Sequence, residues 1–484
     1  MAMAVDPAIA HLLRRAGFGH SPSEGDLFNQ MSLSAAIDTL VDFEQLPDTV
    51  DNNIGMPGFL GTTTRGPFQP NTRISDARQR WLFRLVHSQR PLQEKMALFW
   101  HNHFATGFSK IAGQITPAGA SRALGAKPSE DANGVRGQYE LFRQYALGNF
   151  RDLLIQVSRD PAMVAWLDGD TNFKANPQEN YARELMELFT MGVDYYTESD
   201  VYAGARVFTG WNLFRIRSGD SSYPTFFFRS GQHDTDSKTF SFPIYPDGGK
   251  TIPARSEADG FQDGLDLINA VAAHPETGPR LARKLYAFFV SEFKTPPESV
   301  IQQLAQVYYS SAYDMRAVVR SLLSSPEFQD PANYFTRYSW PVEYVVRLVK
   351  SVGWAGLSAA SALTPLANMG QILFEPPDVS GWRLGTDWFS TGTLLARMNF
   401  ASALAGNQQF NLQSAATPSA ATPESLLAFM VDRLGPAAYD TQATSDLLTY
   451  LAAGGPWTGS STQVRTKTAG LAHLIGGSAE CQFV

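Results

Sequence analysis

The stretch that decides the fold class is Asn180 to Phe189, NYARELMELF. Asn180, Glu184 and Glu187 fall on one face of a helix. Leu185, Leu188 and Phe189 fall on another. This spacing predicts an amphipathic helix that buries its apolar face and presents two carboxyl groups three residues apart.

Helical spacing continues on both sides of this stretch. It covers residues 75–104, with a break at Arg90-Pro91, and returns in several segments between residues 261 and 404. Strand patterns are confined to the aromatic run Tyr223–Phe228 and the alternating run Thr239–Phe242. The sequence therefore predicts a mainly α protein, a large multi-helix fold with a few short β-strands near residues 223–242.

Three stretches are rich in small or turn-forming residues. Residues 47–72 are rich in Gly, Pro, Thr and Asn, residues 107–137 in Gly, Ala and Ser, and residues 406–423 in Ser, Ala, Thr and Gln. Such composition is typical of connections between helices. We expect flexible loops in all three.

Charge and composition exclude several classes of function. The 484 residues carry a net charge of −7, so the surface repels phosphate backbones and no nucleic-acid partner is expected. The one cysteine, Cys481, permits no intrachain disulfide and no cysteine-based zinc site. No apolar run is long enough for a membrane span, and residues 1–7 lack the basic start and apolar core of a signal peptide. As written, the chain is expected in the cytoplasm, while its natural compartment stays open.

The first candidate for chemistry is a pair of histidines, His101 and His103, in WHNHF at residues 100–104. In extended backbone both side chains would point the same way, whereas on a helix they lie about 200° apart. The preceding pattern is helical, so both could bind one ion only if the helix ends or distorts near Asn102. The alternative is one core histidine and one capping or surface histidine.

The second candidate is the carboxyl pair Glu184 and Glu187. Two carboxylates at this spacing can bind a divalent ion or divide the roles of acid and base. Carboxylate-bridged metal proteins use the same spacing in their Glu-x-x-His motifs. The alternative is an exposed face with Arg183 as counter-ion, which is the commoner use of charged helix residues.

The third candidate is His233-Asp234, in a polar turn between the two predicted strands. The histidine could bind a metal ion, and Asp234 could bind the ion directly or orient the ring. Ordinary turn chemistry gives the same residues, so both interpretations stay open.

The last candidate is the Pro-, Gly- and Trp-rich stretch of residues 371–388 together with the helix that follows it. Its arginines, Arg383 and Arg397, could each grip a carboxylate or phosphate, with Trp382 shaping the surface beside them. Equally, the loop could pack on the core with its arginines in structural salt bridges.

Eight motifs follow one another along nearly the whole chain. They are HLLRRAGFG (11–19), FWHNHF (99–104), NYARELMELFTMGV (180–193), FTGW (208–211), HD (233–234), KLY (284–286), PPDVSGW (376–382) and TLLAR (393–397). Together they resemble the bacterial family catalogued as domain of unknown function 1800. The resemblance implies one long, mainly helical domain over residues 1–484.

The resemblance implies little about the reaction, since no general activity of the family is known. Its members are often exported to the periplasm and often encoded beside a sulfatase-like partner family. The pattern gives added weight to six residues taken together: His101, His103, Glu184, Glu187, His233 and Asp234.

We therefore expect a metal-dependent enzyme that acts on a small molecule or peptide. A set of histidines and carboxylates suits zinc, iron or manganese. Hydrolysis by metal-bound water is slightly favoured. A non-haem iron oxidoreductase or oxygenase is one alternative, and a non-catalytic cell-envelope scaffold or binding protein for a sulfatase-like partner is another.

The expected roles divide among three groups of residues. The metal ligands are His101, His103, His233 and Glu184; the catalytic residues are Glu187, Asp234 and Arg183; the substrate-binding residues are Arg383, Trp382 and Arg397.

Overall fold

A computed structural model describes residues 5–63, 66–216 and 222–484. Residues 1–4, within the stretch 1–7 that lacks the pattern of a signal peptide, and residues 64–65 of the predicted loop at 47–72 lie outside this range. Within it the chain is mainly helical with two small two-stranded sheets, which confirms the predicted fold class.

The helices and strands of the described ranges follow one another in chain order. The α-helices are α1 Pro7–Arg15, α2 Pro22–Phe28, α3 Leu33–Val41, α4 Ile74–His87, α5 Pro91–His103, α6 Phe108–Gln114, α7 Pro117–Gly125, α8 Gln138–Gln144, α9 Phe150–Ser158, α10 Pro161–Trp166, α11 Asn180–Glu184, α12 Glu198–Val207, α13 Phe261–Ala273, α14 Thr277–Phe289, α15 Glu298–Ser310, α16 Met315–Leu323, α17 Pro326–Gln329, α18 Pro341–Val352, α19 Ala359–Asn368, α20 Thr391–Asn407, α21 Gln409–Ala416, α22 Pro423–Leu434, α23 Thr441–Ala452 and α24 Ser461–Gly477. The strands are β1 Trp211–Ile216, β2 Tyr223–Phe228, β3 Lys238–Thr239 and β4 Thr251–Ile252.

Two helices, α5 and α18, lie at the centre of the molecule. Every residue of α18 is buried, as is every residue of α5 except Pro91 and Asn102. Because such helices have no polar face toward water, their charged residues must pair inside the protein. Lys95 of α5 forms an ion pair with Glu343 of α18, which ties the two central helices together.

The two sheets are small and lie between α12 and α13 in the chain. β1 and β2 pair antiparallel, from Trp211 opposite Phe228 to Ile216 opposite Tyr223. The predicted strand at 223–228 is β2, whereas the one predicted at 239–242 stops at Thr239 in β3 and pairs only with β4. Beyond that point the Phe240 amide still donates to the Lys250 carbonyl at 2.9 Å, and the alternation reflects burial of Phe240 and Phe242.

Helices occupy two stretches for which the sequence predicted loops. Residues 107–137 contain α6 and α7, and residues 406–423 contain α21. These predictions were wrong because alanine and glutamine are strong helix formers. Proline also starts α7 at its first position. The stretch at 47–72 matches better, with one short 3-10 turn at Val50–Asn53 and no α-helix among its described residues.

None of the helices within the described ranges is both long and apolar enough to cross a membrane.

Candidate active site

The last turn of α5 carries both histidines of the predicted metal pair. The helix continues to His103, so α5 lacks the break near Asn102 that a shared ion requires. The side chains of His101 and His103 therefore point in different directions and enter different surroundings.

His101 lies in an aromatic part of the core. Its Nε2 accepts a hydrogen bond from the Phe374 amide at 3.2 Å, and the rings of Trp81 and Trp382 lie 5.2 and 5.4 Å from its own. Burial lowers the pKa of His101 to about 3, so the ring is neutral at physiological pH. In this position it ties α5 to the loop that follows α19.

The predicted helix over residues 180–189 is divided in two. The α-helical part, α11, ends at Glu184, and Leu185–Phe189 forms a π-helix. The hydroxyl of Thr190 closes the wider turn by donating to the Leu185 carbonyl at 2.6 Å. Short π-helical turns are rare and occur frequently at functional sites. The sequence spacing did not predict this turn.

His103 and Lys284 cap the end of the π-helix. Helix ends leave carbonyl groups without partners. The Phe189 carbonyl is 3.1 Å from Nε2 of His103, and the Leu188 carbonyl accepts from Nζ of Lys284 at 3.1 Å. The imidazole proton therefore sits on Nε2, and Nδ1 accepts from Lys284 Nζ at 3.1 Å. Burial, with a smaller contribution from Arg280, lowers the pKa of Lys284 to about 7.

A group of three carboxyls stands beside this turn. Glu184 is half-buried, and among the described residues its carboxyl has no hydrogen bond and no ion pair within 4 Å. Burial and the neighbouring Glu187, with Asp378 adding, raise the pKa of Glu184 to about 7 against the opposing charge of Arg183. Glu187 instead accepts a hydrogen bond from the Tyr196 hydroxyl at 2.6 Å. Two neighbouring carboxyls thus have unlike surroundings.

Arg183 is a counter-ion on the surface. It pairs with Glu179 at 3.1 Å and with Glu198 at 2.8 Å, not with Glu184 or Glu187. This agrees with the counter-ion alternative, although the partners differ from those expected.

His233 is fully buried, and both of its ring nitrogens are engaged. Nδ1 lies 2.9 Å from the Thr209 carbonyl, and Nε2 lies 3.1 Å from Oδ2 of Asp263. The same Asp263 oxygen accepts from Lys238 at 2.6 Å. The ring packs so closely on the backbone that a Cβ at Gly260 would overlap it. Its nitrogens are thus committed to holding the loop before β3 against α13.

Asp234 lies in the same loop as His233 but contacts a different helix, α12. Its two oxygens accept from Nε and Nη2 of Arg206 at 2.7 and 3.0 Å, a two-point pairing that fixes the loop to α12. That geometry gives Asp234 a structural task.

The loop at 376–382 is fastened to the end of α5. The Asn102 side chain accepts from the Trp382 amide at 2.7 Å and donates to the Trp382 carbonyl at 3.3 Å. Gly381 has a φ of +82° and lies against Asn102, where a Cβ would find no room. This attachment brings Asp378 of the same loop to Glu184, while Trp382 itself is buried over His101.

The two arginines of the predicted substrate site differ in exposure. The Arg383 side chain is 80% exposed and reaches Asp387 only at 3.9 Å. Arg397 is buried and donates to the Ser339 carbonyl at 2.9 Å and to Gln482 at 3.1 Å. Arg383 is therefore accessible to a ligand, and Arg397 is a core residue.

The predicted metal ligands do not come together. In the ranges that the structure covers, no three or more His, Cys, Asp or Glu side chains form a group that could hold a metal ion. The residues as placed do not fit a shared ion at His101, His103, Glu184 and His233. Metal dependence itself stays a prediction.

Three residues of the site carried no predicted role: Lys284, Tyr196 and Asp378. A signal existed for the first of them. Lys284 stands three residues after Leu281 and four before Phe288, positions that share the apolar face of α14. A lysine at such a position needs a buried partner. Tyr196 and Asp378 gave no comparable signal, since tertiary contact alone brings them to the glutamates.

Fold and site define a mainly helical protein with a carboxyl cluster beside a π-helix. The chain belongs to the family described as "Protein of unknown function (DUF1800)", whose model matches residues 11–483. This confirms the family resemblance. A search of curated proteins and a search of solved structures each found no match.

Proposed function

We propose that the protein is an enzyme of the hydrolase class that works by general acid–base catalysis at Glu184 and Glu187. The observation that carries the proposal is the carboxyl of Glu184, which is half-buried, lacks a partner among the described residues and has its pKa raised to about 7. A carboxyl that keeps its proton near neutral pH can act as a general acid.

The two glutamates would divide the chemistry between them. Glu184 would protonate the leaving group, and Glu187, oriented by the Tyr196 hydroxyl, would take a proton from the attacking water. Carboxyl groups in unlike surroundings commonly take these separate roles. Asp378 would help keep Glu184 protonated, because a nearby negative charge disfavours ionisation.

His103 and Lys284 would act as positioning residues. By binding the Leu188 and Phe189 carbonyls they fix the end of the π-helix that carries Glu187. Of the two arginines in the predicted substrate site, Arg383, exposed in the loop that also carries Asp378, is the one that remains accessible for an anionic part of the substrate.

The test is a substrate screen with matched variants. Nitrophenyl esters, phosphates, glycosides and peptide anilides would be assayed with wild type, Glu184→Gln and Glu198→Gln. Loss of general acid catalysis lowers rates by about 10²-fold or more, so we expect that loss in Glu184→Gln and none in the surface control Glu198→Gln. Wild-type activity should also fall as pH rises through about 7, where Glu184 loses its proton. Full activity in Glu184→Gln would contradict the proposal.

The zinc, iron or manganese cofactor can be tested without a substrate. Metal content would be measured by plasma mass spectrometry on wild type and His101→Ala, purified without an affinity metal column. A near-stoichiometric ion that is lost in the variant would favour the metal-dependent alternative. Iron would then favour the oxidoreductase and zinc the hydrolase.

The non-catalytic scaffold is the second candidate, and it has support of its own. His101, His103 and His233 each hold a backbone or carboxyl group of another segment, as expected of a polar network that fixes a core. Binding of a sulfatase-like partner by the intact chain, unchanged in Glu184→Gln, would favour this candidate.

A further inference from the structure

A cleft of about 640 Å³ lies between α2, the end of α4 and α18, and none of the residues that line it belongs to the carboxyl cluster. Clefts that hold small molecules measure about 300–1,000 Å³. One wall is apolar and includes Leu13, Leu27, Phe28, Met31, Val86 and Trp354. Leu27 is 53% exposed although it is apolar, so this wall meets water.

The floor of the cleft carries a nearly buried ammonium group. The Lys350 side chain is 2% exposed and pairs with Oε1 of Glu24 at 2.8 Å. The other oxygen of Glu24 accepts from the Ser21 amide at 2.7 Å, in the capping box that starts α2. A lysine has three donors, and the described residues engage one of them. Two N–H groups of Lys350 are left for a ligand.

His87 adds a further donor to the lining. Its Nε2 accepts from the Leu60 amide at 3.0 Å, so in the neutral ring the proton lies on Nδ1. Burial, with a smaller contribution from Lys350, lowers the pKa of His87 to about 4, which keeps the ring neutral. Among the described residues Nδ1 has no hydrogen-bond partner.

We propose that this cleft binds a neutral acyl compound, such as a fatty amide or an alkyl ketone, with its chain on the apolar wall and its carbonyl oxygen at Lys350 and His87. The head group is neutral because Glu24 already balances the charge of Lys350. A carboxylate head would place two negative charges around one ammonium.

The proposal is tested by titration calorimetry of the full chain with methyl ketones of six, eight and ten carbons. Each added pair of methylene groups should tighten binding about fifteenfold while the chain still fits, on the transfer energy of buried methylenes. Fatty acids of equal length should bind at least about tenfold more weakly, as expected for a like-charge neighbour. Affinity that does not depend on chain length, or stronger binding of the acids, would overturn the proposal.

Three substitutions test where the ligand binds. Met31→Trp places an indole in the cleft from a half-buried position and should abolish binding. Met398→Trp on α20, outside the cleft and 43% exposed, is the matched control and should bind as wild type does. Lys350→Gln should weaken binding of the ketones. Because that variant disturbs the buried pair with Glu24, its fold is checked by circular dichroism. Equal affinity of Met31→Trp and Met398→Trp would overturn the assignment even if Lys350→Gln fails to fold.

Discussion

Asp263 and Glu184 are both withdrawn from water, yet their surroundings differ. Burial alone would raise the pKa of Asp263, but hydrogen bonds from His233, Lys238 and Arg255 outweigh it and hold that pKa below its usual value. Glu184 is less enclosed, has no such partners among the described residues, and its pKa rises to about 7. The carboxyl of Asp263 is fully used in contacts that hold the fold, whereas the carboxyl of Glu184 is left available for a substrate.

This difference separates structural from candidate catalytic residues. A satisfied buried network stabilises the native state and has no donor or acceptor left for a substrate. A carboxyl that stays protonated near neutral pH costs stability and is retained most readily where chemistry uses it. By this measure His233 belongs to the fold and Glu184 to the site.

The largest expected effect comes from His233→Ala. It leaves a cavity in a fully buried network and removes a partner of Asp263, so the free energy of unfolding should fall by about 3 kcal/mol. Chemical denaturation measures this loss. Gln232→Ala, at the exposed neighbouring residue, is the control and should change stability by less than about 0.5 kcal/mol. A loss below about 1 kcal/mol in His233→Ala would contradict the structural role given to the His233–Asp263 network in contrast to Glu184.

Gly260→Ala probes the same network from its backbone side. The added Cβ would overlap the His233 ring, and overpacking of a rigid core should cost about 2 kcal/mol. Gly231→Ala is the matched control, because it is exposed and its nearest neighbour within 4 Å is the flexible end of Glu257. Equal melting temperatures for the two variants would show that the ring can move aside.

Unlike the two preceding substitutions, Glu184→Gln should increase the stability of the protein. Because the folded-state pKa is raised, the stability tied to protonated Glu184 is fully present below its unfolded value of 4.5 and is lost as pH rises through about 7. The variant lacks this loss. At pH 8 its free energy of unfolding should therefore exceed that of wild type by about 1 kcal/mol, after discounting for partial exposure. Urea unfolding at pH 5 and pH 8 measures the gain, with Glu198→Gln as control. If wild type and variant keep the same stability difference at both pH values, Glu184 has an ordinary pKa.

Arg183→Ala should have the smallest effect. Its ion pairs with Glu179 and Glu198 are on the surface, so their loss should cost less than about 0.5 kcal/mol. Thermal unfolding in low and high salt measures it, since salt weakens such pairs. A drop above about 1 kcal/mol would mean that Arg183 also supports the carboxyl cluster.

Most helices could be predicted because their signals are local. Asp6 accepts from the Ala8 and Ile9 amides at the start of α1, and Ser21 and Glu24, three residues apart, form the capping box of α2. The helices within residues 107–137 and 406–423 were not predicted because small residues are common in turns, although alanine also favours helix.

The candidate site was predicted in part. The Glu184–Glu187 pair is central to it, and His103 lies at its edge, but as a cap rather than as a metal ligand. His101, His233 and Asp234 have the residue types of a site and are used for structure. The sequence shows the chemical type of a side chain, but it does not show which residue that side chain forms hydrogen bonds with.

The sequence by itself determined the family, the helical class, the caps and the i, i+3 spacing of the two glutamates, because all of these depend on neighbours along the chain. Only the tertiary structure decided that α11 gives way to a π-helix, that Lys284 reaches the Leu188 carbonyl near its end, and that Asp378 comes to Glu184. The last two outcomes depend on burial and on contacts between residues about a hundred or more positions apart. Long-range packing sets both the local dielectric and the hydrogen-bond partners that fix a pKa.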